Sequence, residues 1–506
     1  MAYRCGIGRP SVNWATARAY LTSGVVKRRR WLLRHNSPAR RVLSLIDATL
    51  LAVETTATPM HVASLQIFQI PNGAPDSFVR DVVTAFRSPG PLTPPFGLKL
   101  AGGPLAWLRP ALLPADDVDM EYHVRHTALP APGGERQLGE LVSHLHSVKL
   151  DRSRPLWTCH VVDGLERNRF AVYCKVHHAL TDGVGGMQKV VQALAKDPAG
   201  TSCAPWHYQT PQRDKRTAGS RHFGLKSILR TGVSLFRGFA GLSRLKGSEP
   251  VRLPFEGPAA PALNGRVTAA RRVATQQLDL KRIQEVCERT DTSVNDVFLA
   301  ICAGALRRHL VDSGLFPRKP LFAGLPVNLR EPGETGANAF GFVWASLATD
   351  VTEPAARLAA IHQSMQAAKN QLRAMKPAAR KVFTLSMMAP AVAVIVSGVA
   401  DRVRPPMNVT ISNVPGPDEA MYLNGARLEA FYPVSATFQG LALNITCVTY
   451  DGQFNIGFTG SRDSLPHLQR LALYASDALD ELEATEVKPT RSGSRASQPA
   501  PARQLP

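Results

Sequence analysis

The densest chemistry in the chain lies at 177–186, which reads HHALTDGVGG. Two adjacent histidines on an extended segment point in opposite directions. One can therefore face a cleft while the other packs or hydrogen-bonds. Histidine titrates near neutrality and can take a proton from a hydroxyl or an amine. Asp182, four residues after His178, can fix the loop through an ion pair or backbone N–H contacts. The glycines from Gly183 onward permit a tight turn and close approach by a substrate. The same spacing also fits a satisfied pair of core histidines beside a turn. A metal site would need further ligands, and no third or fourth ligand cluster stands out. Cys174 lies inside an apolar run, where an inert buried thiol is the ordinary outcome. The glycines do not make a Walker loop, because no Gly-Lys-Ser/Thr follows.

Strands and helices must hold those side chains. Residues 157–162 and 170–176 (FAVYCKV) are apolar runs separated by the turn signal Asp163-Gly164, and they read as paired strands. Residues 184–195 read as a helix. Ser293 is a fair N-cap for a helix through Asp296, Phe298 and Leu299 to Leu310. Residues 441–450 and 454–460 flank Asp451-Gly452, a pair suited to the positive φ values of a type I′ turn. A helix over 465–482 follows. This mixture predicts an α/β (mixed α+β) protein in which each body is a sheet covered by helices.

The 506 residues are 44% apolar and 20% charged, with 38 Gly and 39 Pro. Such a chain can bury a large core in two or three domains, which excludes collagen-like and wholly disordered classes. The net charge of +21 points to a polyanionic partner: nucleic acid, an anionic membrane surface or a phosphate-rich substrate. Seven cysteines, odd in number and widely spread, suggest neither a disulfide framework nor a zinc knuckle, and fit a reducing compartment.

Residues 1–41 carry ten Lys/Arg and no acid, with no apolar run of the secretory kind. They read as a disordered basic extension or a tether to an anionic surface. Residues 201–262 form a basic crossing linker, and 486–506 a disordered tail. Two bodies remain, 42–200 and 263–485. The run 382–400 is nineteen residues long with Pro390 in its middle. That favours a buried or lipid-facing helix over a true membrane span. Within 225–242, seven apolar residues fall on one side of a helical wheel, with Arg230 and Arg237 opposite and Arg244 continuing their stripe. The pattern fits a linker helix, or an interfacial helix lying on anionic lipid.

The segment His177-His178-x3-Asp182-Gly183 resembles the signature of the acyl-CoA-dependent acyltransferase superfamily, shared with nonribosomal peptide condensation domains. Other segments narrow the resemblance: LSLIDATLLAVETTATPMHVASLQIF at 43–68, VDMEYHVRH at 118–126, RSRPLW at 152–157, Asn295-Asp296, PVNLR at 326–330 and ISNVPGP at 411–417. In this order they resemble the bacterial wax ester synthase/diacylglycerol acyltransferase family, most of all its actinobacterial members, over 43–483. Asn328 stands where the family pattern has Ser.

The resemblance implies two chloramphenicol-acetyltransferase-like domains with a tunnel between them, entered by acyl-CoA from one side and the acceptor from the other. It implies acyl transfer to diacylglycerol or a long-chain alcohol. His178 would be the general base, His177 its support, Asp182 structural, and Gly183 the shaper of the turn. Asn295 and Asp296 match a motif of structural or interdomain role, and Ser412 or Asn413 would help bind the oxyanion. Acyl-CoA is a co-substrate, so neither a cofactor nor a metal is expected, and its phosphates give part of the positive charge a use. A cytoplasmic protein associated peripherally with the inner membrane face or with lipid droplets follows. No carrier domain is fused, and the aromatic-plus-basic motifs of nucleic-acid modules are missing. The competing readings are another acyl transfer of the superfamily (condensation-type or polyketide-alcohol acylation) and a catalytically weak lipid-surface binding protein.

Overall fold

The computed structural model describes residues 40–103, 110–181, 183–209, 255, 257–328, 340–374, 393–394, 403 and 405–485. Asp182, the pattern at 225–242, nearly all of 382–400, 1–39 and the tail from 486 lie outside the described residues.

The first stretch holds β1 (Arg41–Val42), α1 (Leu45–Val53), β2 (His61–Gln69), α2 (Phe78–Phe86), β3 (Leu98–Leu100), β4 (Ala111–Pro114), β5 (Val124–Ala128), α3 (Glu135–Ser147), β6 (Trp157–Leu165), β7 (Arg169–His177) and α4 (Gly183–Gln192). The second holds β8 (Arg271–Asp279), α5 (Leu280–Thr290), α6 (Val294–Asp312), β9 (Phe322–Asn328), β10 (Phe340–Ser346), α7 (Pro354–Ala374) and β11 (Val409–Val414). It continues with β12 (Tyr422–Leu423), β13 (Ala426–Val434), β14 (Leu443–Tyr450), β15 (Gln453–Ser461) and α8 (Gln469–Ala484). One six-stranded sheet runs β12-β13-β2-β7-β6-β5, the other β10-β9-β11-β14-β15-β8, and β1-β4-β3 form a small third sheet. The fold is mixed α/β, as the pattern of elements predicts.

A division into 42–200 and 263–485 places 422–434 in the second body. The hydrogen bonds place these residues in the first sheet. β13 pairs antiparallel with β2 from Arg427↔Gln69 to Val434↔Ala63, and it also lies against β14 and β15. Without β13 the edge of β2 would present unpaired backbone groups. The crossing strand thus satisfies one sheet while tying it to the other.

In the second sheet, side-chain alternation separates core from cleft. Ala323 and Leu325 of β9, Ile411 of β11, Ile445 of β14 and Ile456 and Phe458 of β15 share one apolar cluster with α6 and α8. The intervening residues Thr410, Asn444, Thr446, Asn455 and Thr459 are buried and polar. The connector's end docks here too. Asn264 Nδ2 donates to Gly440 O (2.8 Å), and Asn408 Nδ2 donates to Asn264 Oδ1 (2.9 Å) and Pro258 O (2.7 Å).

The Asp451-Gly452 turn forms as its residue types predict, with φ of 47° and 71° and Tyr450 paired to Gln453. Asp163-Gly164 does not turn the chain. β6 continues to Leu165, its register shifts after Val162, and Gly164 (φ 78°) forms a bulge. The reversal falls at Arg167 and Asn168, with φ of 61° and 55°. The bulge is held by packing, since a Cβ on Gly133 would stand 1.9 Å from Gly164 O. No helix among the described residues is long and apolar enough to cross a membrane.

Candidate active site

β7 carries the histidine pair out of the middle of the first sheet. His177 is its last residue, opposite His61 of β2. Its N–H donates to Leu156 O (3.0 Å), and the next N–H, of His178, donates to Met60 O (2.8 Å). The chain therefore leaves the sheet still pinned to both neighbours. The two rings divide as alternation predicts: His177 is fully buried and His178 half-buried. Ala179 N–H donates to His177 Nδ1 at 3.0 Å. A backbone N–H can only donate, so Nδ1 is the acceptor and the ring proton sits on Nε2.

Near that nitrogen, without a hydrogen bond to it, stands a carboxylate which the spacing of residues gave no means to find. Glu54, the C-cap residue of α1, places Oε1 3.5 Å from His177 Nε2. Oε1 also accepts from Met60 N–H (3.2 Å), while Oε2 accepts from Arg152 Nε (3.0 Å) and Nη2 (2.8 Å), with Lys149 Nζ at 3.2 Å. Burial alone would raise the Glu54 pKa. The His177 ring, the Met60 N–H and Arg152 outweigh it and hold the carboxyl at about 2. Glu54 thus stands within ion-pair distance of the buried histidine and grips the Met60 segment to which His178 is bonded. Glu54 and Arg152 stand 98 residues apart in the chain.

An apolar chamber lies between the two sheets and reaches the histidine loop at Thr181. It has about 870 Å³ of empty space, its open mouth included. Val62, Ser64 and Val176 of the first sheet face Val414, Thr446 and Val448 of the second, with Phe431 and Val434 of the crossing strand between them. Trp157 and Trp206 stack at 4.6 Å, and Phe96 meets Trp157 edge-on at 5.4 Å. Trp157 Nε1 donates to Phe96 O (2.9 Å), so the buried indole costs no orphaned donor. α4 supplies the remaining wall. Gly183 is its first residue, and a Cβ on Gly186 would approach Thr181 Cγ2 to 3.2 Å.

The other motif residues separate into two groups. Asp296 is buried at the start of α6, where it accepts from Ser293 N–H (3.1 Å), from Ser293 Oγ (2.7 Å) and from His362 Nδ1 of α7 (2.9 Å). Burial would raise its pKa, but Ser293 and His362 bring it below the ordinary value. The motif is a knot between α6 and α7 within the second body, and neither Asp296 nor half-buried Asn295 lines the chamber. Asp296→Ala is expected to destabilise the fold by about 3 kcal/mol, from a lost cap and a broken buried pair. Urea unfolding checks this, and an unchanged midpoint would refute the knot.

On β11, Ser412 shares the face of Thr410 and chamber-lining Val414, whereas exposed Asn413 belongs to the opposite side. Ser412 is paired in register with Thr446 of β14. Gly416 of the SNVPGP segment leaves no room for a side chain, since a Cβ there would lie 2.1 Å from Thr449 O. Among the described residues no cluster of three or more His, Cys, Asp or Glu could hold a metal ion.

Two sheets meeting over an apolar chamber, with a His-His pair leaving a central strand beside it, define an acyltransferase of the His-His-x3-Asp-Gly type. Residues 43–298 match the wax ester synthase/diacylglycerol acyltransferase catalytic domain, and 336–483 match the C-terminal domain of the same family. The chain belongs to the wax ester synthase/diacylglycerol acyltransferase family. It is 40% identical over 449 residues, 87% of this chain and 99% of the other, to a Mycobacterium tuberculosis protein that bears the name diacylglycerol O-acyltransferase. The Acinetobacter baylyi O-acyltransferase WSD is 36% identical over 461 residues, covering 88% of this chain and 98% of its own. Among solved structures, the wax ester synthase/diacylglycerol acyltransferase from Marinobacter aquaeolei superposes with a TM-score of 0.73 at 37% identity, covering 88% of this chain and 98% of its own. A condensation domain of the calcium-dependent antibiotic synthetase shares the fold alone, with a TM-score of 0.55 at 16% identity, covering 88% of this chain and 96% of its own.

Proposed function

We propose that this acyltransferase moves a long-chain fatty acyl group from acyl-CoA to the hydroxyl of diacylglycerol or of a long-chain alcohol, with His178 as general base. The observation that carries the reading is the half-buried His178 beside a tautomer-fixed His177, on the segment between Val176 and Thr181, which line the apolar chamber although the two histidines themselves do not. The names of the relatives supply the two acceptor classes.

A thioester is electrophilic and CoA thiolate leaves well, so direct attack by the acceptor hydroxyl suffices. His178 takes the hydroxyl proton as the oxygen bonds to the carbonyl carbon, a contribution of about 10²–10⁴-fold. The tetrahedral oxyanion needs hydrogen-bond donors, and of the two sequence candidates we favour Ser412, which is in register with chamber-lining Thr446 and shares a strand face with Val414. Collapse breaks the C–S bond, and the imidazolium returns its proton to the thiolate. The apolar walls keep water from competing for the thioester.

Purified protein given radiolabelled palmitoyl-CoA with diolein or hexadecanol should yield labelled triacylglycerol or wax ester on thin-layer chromatography. Failure with both acceptors would sink the reading. Both acceptors reside in lipid, which motivates peripheral association with the inner membrane face or with droplets. The basic stripe at 225–242 is the candidate contact, at roughly 1 kcal/mol per basic residue near an anionic surface. Changing Arg230, Arg237 and Arg244 to Glu should release the protein from anionic liposomes and spare transfer to short, soluble acceptors. Undiminished co-sedimentation would end the surface role.

A further inference from the structure

Cys159 of β6 and Cys174 of β7 are Cα partners in the first sheet. Cys174 Sγ donates to Cys159 Sγ at 3.2 Å. Directly opposite residues of antiparallel strands hold their Cα atoms about 4.5 or 5.5 Å apart, and a disulfide spans about 4.4–6.8 Å. The paired strands thus already hold the two residues at bridging distance.

The two thiols differ in access. Cys159 is fully buried, and burial pushes its thiol pKa up, so it is a poor first target for an oxidant. Cys174 lines the chamber. Apolar walls exclude charged oxidants and admit small uncharged ones, of which a hydroperoxide is the simplest. The next pair on the same strand face, Trp157 and Val176, also lines the chamber, and β7 ends at His177.

We propose that Cys159 and Cys174 form a reversible disulfide, a redox-modification site in the chamber wall whose closure slows acyl transfer. With hydrogen peroxide, Cys174 Sγ attacks one oxygen. The S–O bond forms, the O–O bond breaks, and the thiol proton leaves with the released oxygen as water. Cys159 Sγ then bonds to Cys174 Sγ, the S–O bond breaks, and the second thiol proton completes a second water. The sulfur pair gives two electrons to the peroxide, and an external dithiol returns two electrons and two protons. In reducing surroundings such a disulfide is transient and serves as a sensor. A shift of about 1 Å beside a reacting group can cost about a hundredfold in rate, so a fall of about tenfold is expected from a tie so near the histidine pair.

Reduced full-length protein is treated with hydrogen peroxide and digested with trypsin without reductant. Arg167 and Arg169 lie between the two cysteines, so each arrives on its own peptide. The expected product is a linked pair of peptides that dithiothreitol separates. Turnover of palmitoyl-CoA should fall about tenfold in the oxidised protein and return with the same reductant. Cys159→Ala should give no link and, with dimedone present, should carry the adduct on the Cys174 peptide. Cys159→Val takes its place if the alanine variant misfolds.

No link at peroxide doses that oxidise half-buried Cys203 and Cys287 would overturn the site, as would a link that forms only in urea. An unlabelled Cys174 in the variant would remove it as the point of attack. A link with turnover unchanged would overturn the switch. The effect on turnover rests on the proposed acyl transfer, and the peptide map does not. If the reduced protein transfers no acyl group, that function fails while the map still decides whether the pair bonds.

Discussion

His178→Ala is expected to lower acyl transfer at least a hundredfold, roughly the lower bound for losing a positioned general base. The fold should survive, because alanine keeps the backbone bond from His178 N–H to Met60 O. Binding of palmitoyl-CoA should survive for the same reason. His177→Ala is expected to fail differently. It would leave the Ala179 N–H without its acceptor and strip a fully buried carboxylate of its histidine neighbour. Each buried polar group so orphaned costs about 1–3 kcal/mol, more where charge is involved. The two variants therefore separate: one stable and inactive, the other inactive and unstable. Single-turnover assays with urea unfolding on both proteins measure the split. Near-native turnover by His178→Ala would end the base assignment.

The histidine pair shows how far residue order can be read. Alternation on an extended segment predicts that one ring is buried and its neighbour is not, and the observed burial of His177 and His178 follows that rule. The same rule, applied to 411–414, separates Ser412 from Asn413 as soon as chamber-lining Val414 is known to share a face with Ser412. Asp163-Gly164 misleads because a turn-forming pair also makes a good bulge, and the neighbouring Gly133 decides between the two. β13 could not be assigned to its sheet in advance. Its alternating pattern suits any half-buried edge position, and the vacancy beside β2 exists only once β7 and β6 have paired.

The contacts of Glu54 are legible in three dimensions only. It lies within one quoted segment and Arg152 within another, yet nothing in either gives them a common task. Their meeting depends on α1 ending where β2 begins and on β2 running beside β7.

Glu54→Gln is the second large effect. The substitution keeps the shape of the side chain and removes the charge that Arg152 and Lys149 address and that lies 3.5 Å from His177 Nε2. Removing one partner of a buried pair commonly costs about 3–5 kcal/mol, since the remaining charges stay buried and unanswered. Arg152 and Lys149 are partly exposed, which places the expectation at the lower end of that range. Activity should fall with stability, because glutamine has one acceptor oxygen where Glu54 uses two, so it can serve Met60 N–H or Arg152 but not both, and Met60 O holds the His178 backbone. The loss should lie in kcat more than in KM.

The pH dependence carries its own sign. Glu54 titrates at about 2 in the folded protein, against 4.5 as its ordinary value. A carboxylate with a depressed pKa contributes stability that is fully present above its unfolded value and is lost as pH falls through the folded one. For a fully buried side chain this is on the order of 3 kcal/mol, lost between about pH 5 and pH 2. Wild-type protein should weaken steeply across that window, while Glu54→Gln, already weaker at neutral pH, should show a shallower slope. Urea midpoints measured at intervals from pH 7 to pH 3 test both statements. Parallel curves would show that some other carboxylate governs the acid limb. An unchanged neutral midpoint with native turnover would show that the histidine pair stands without Glu54.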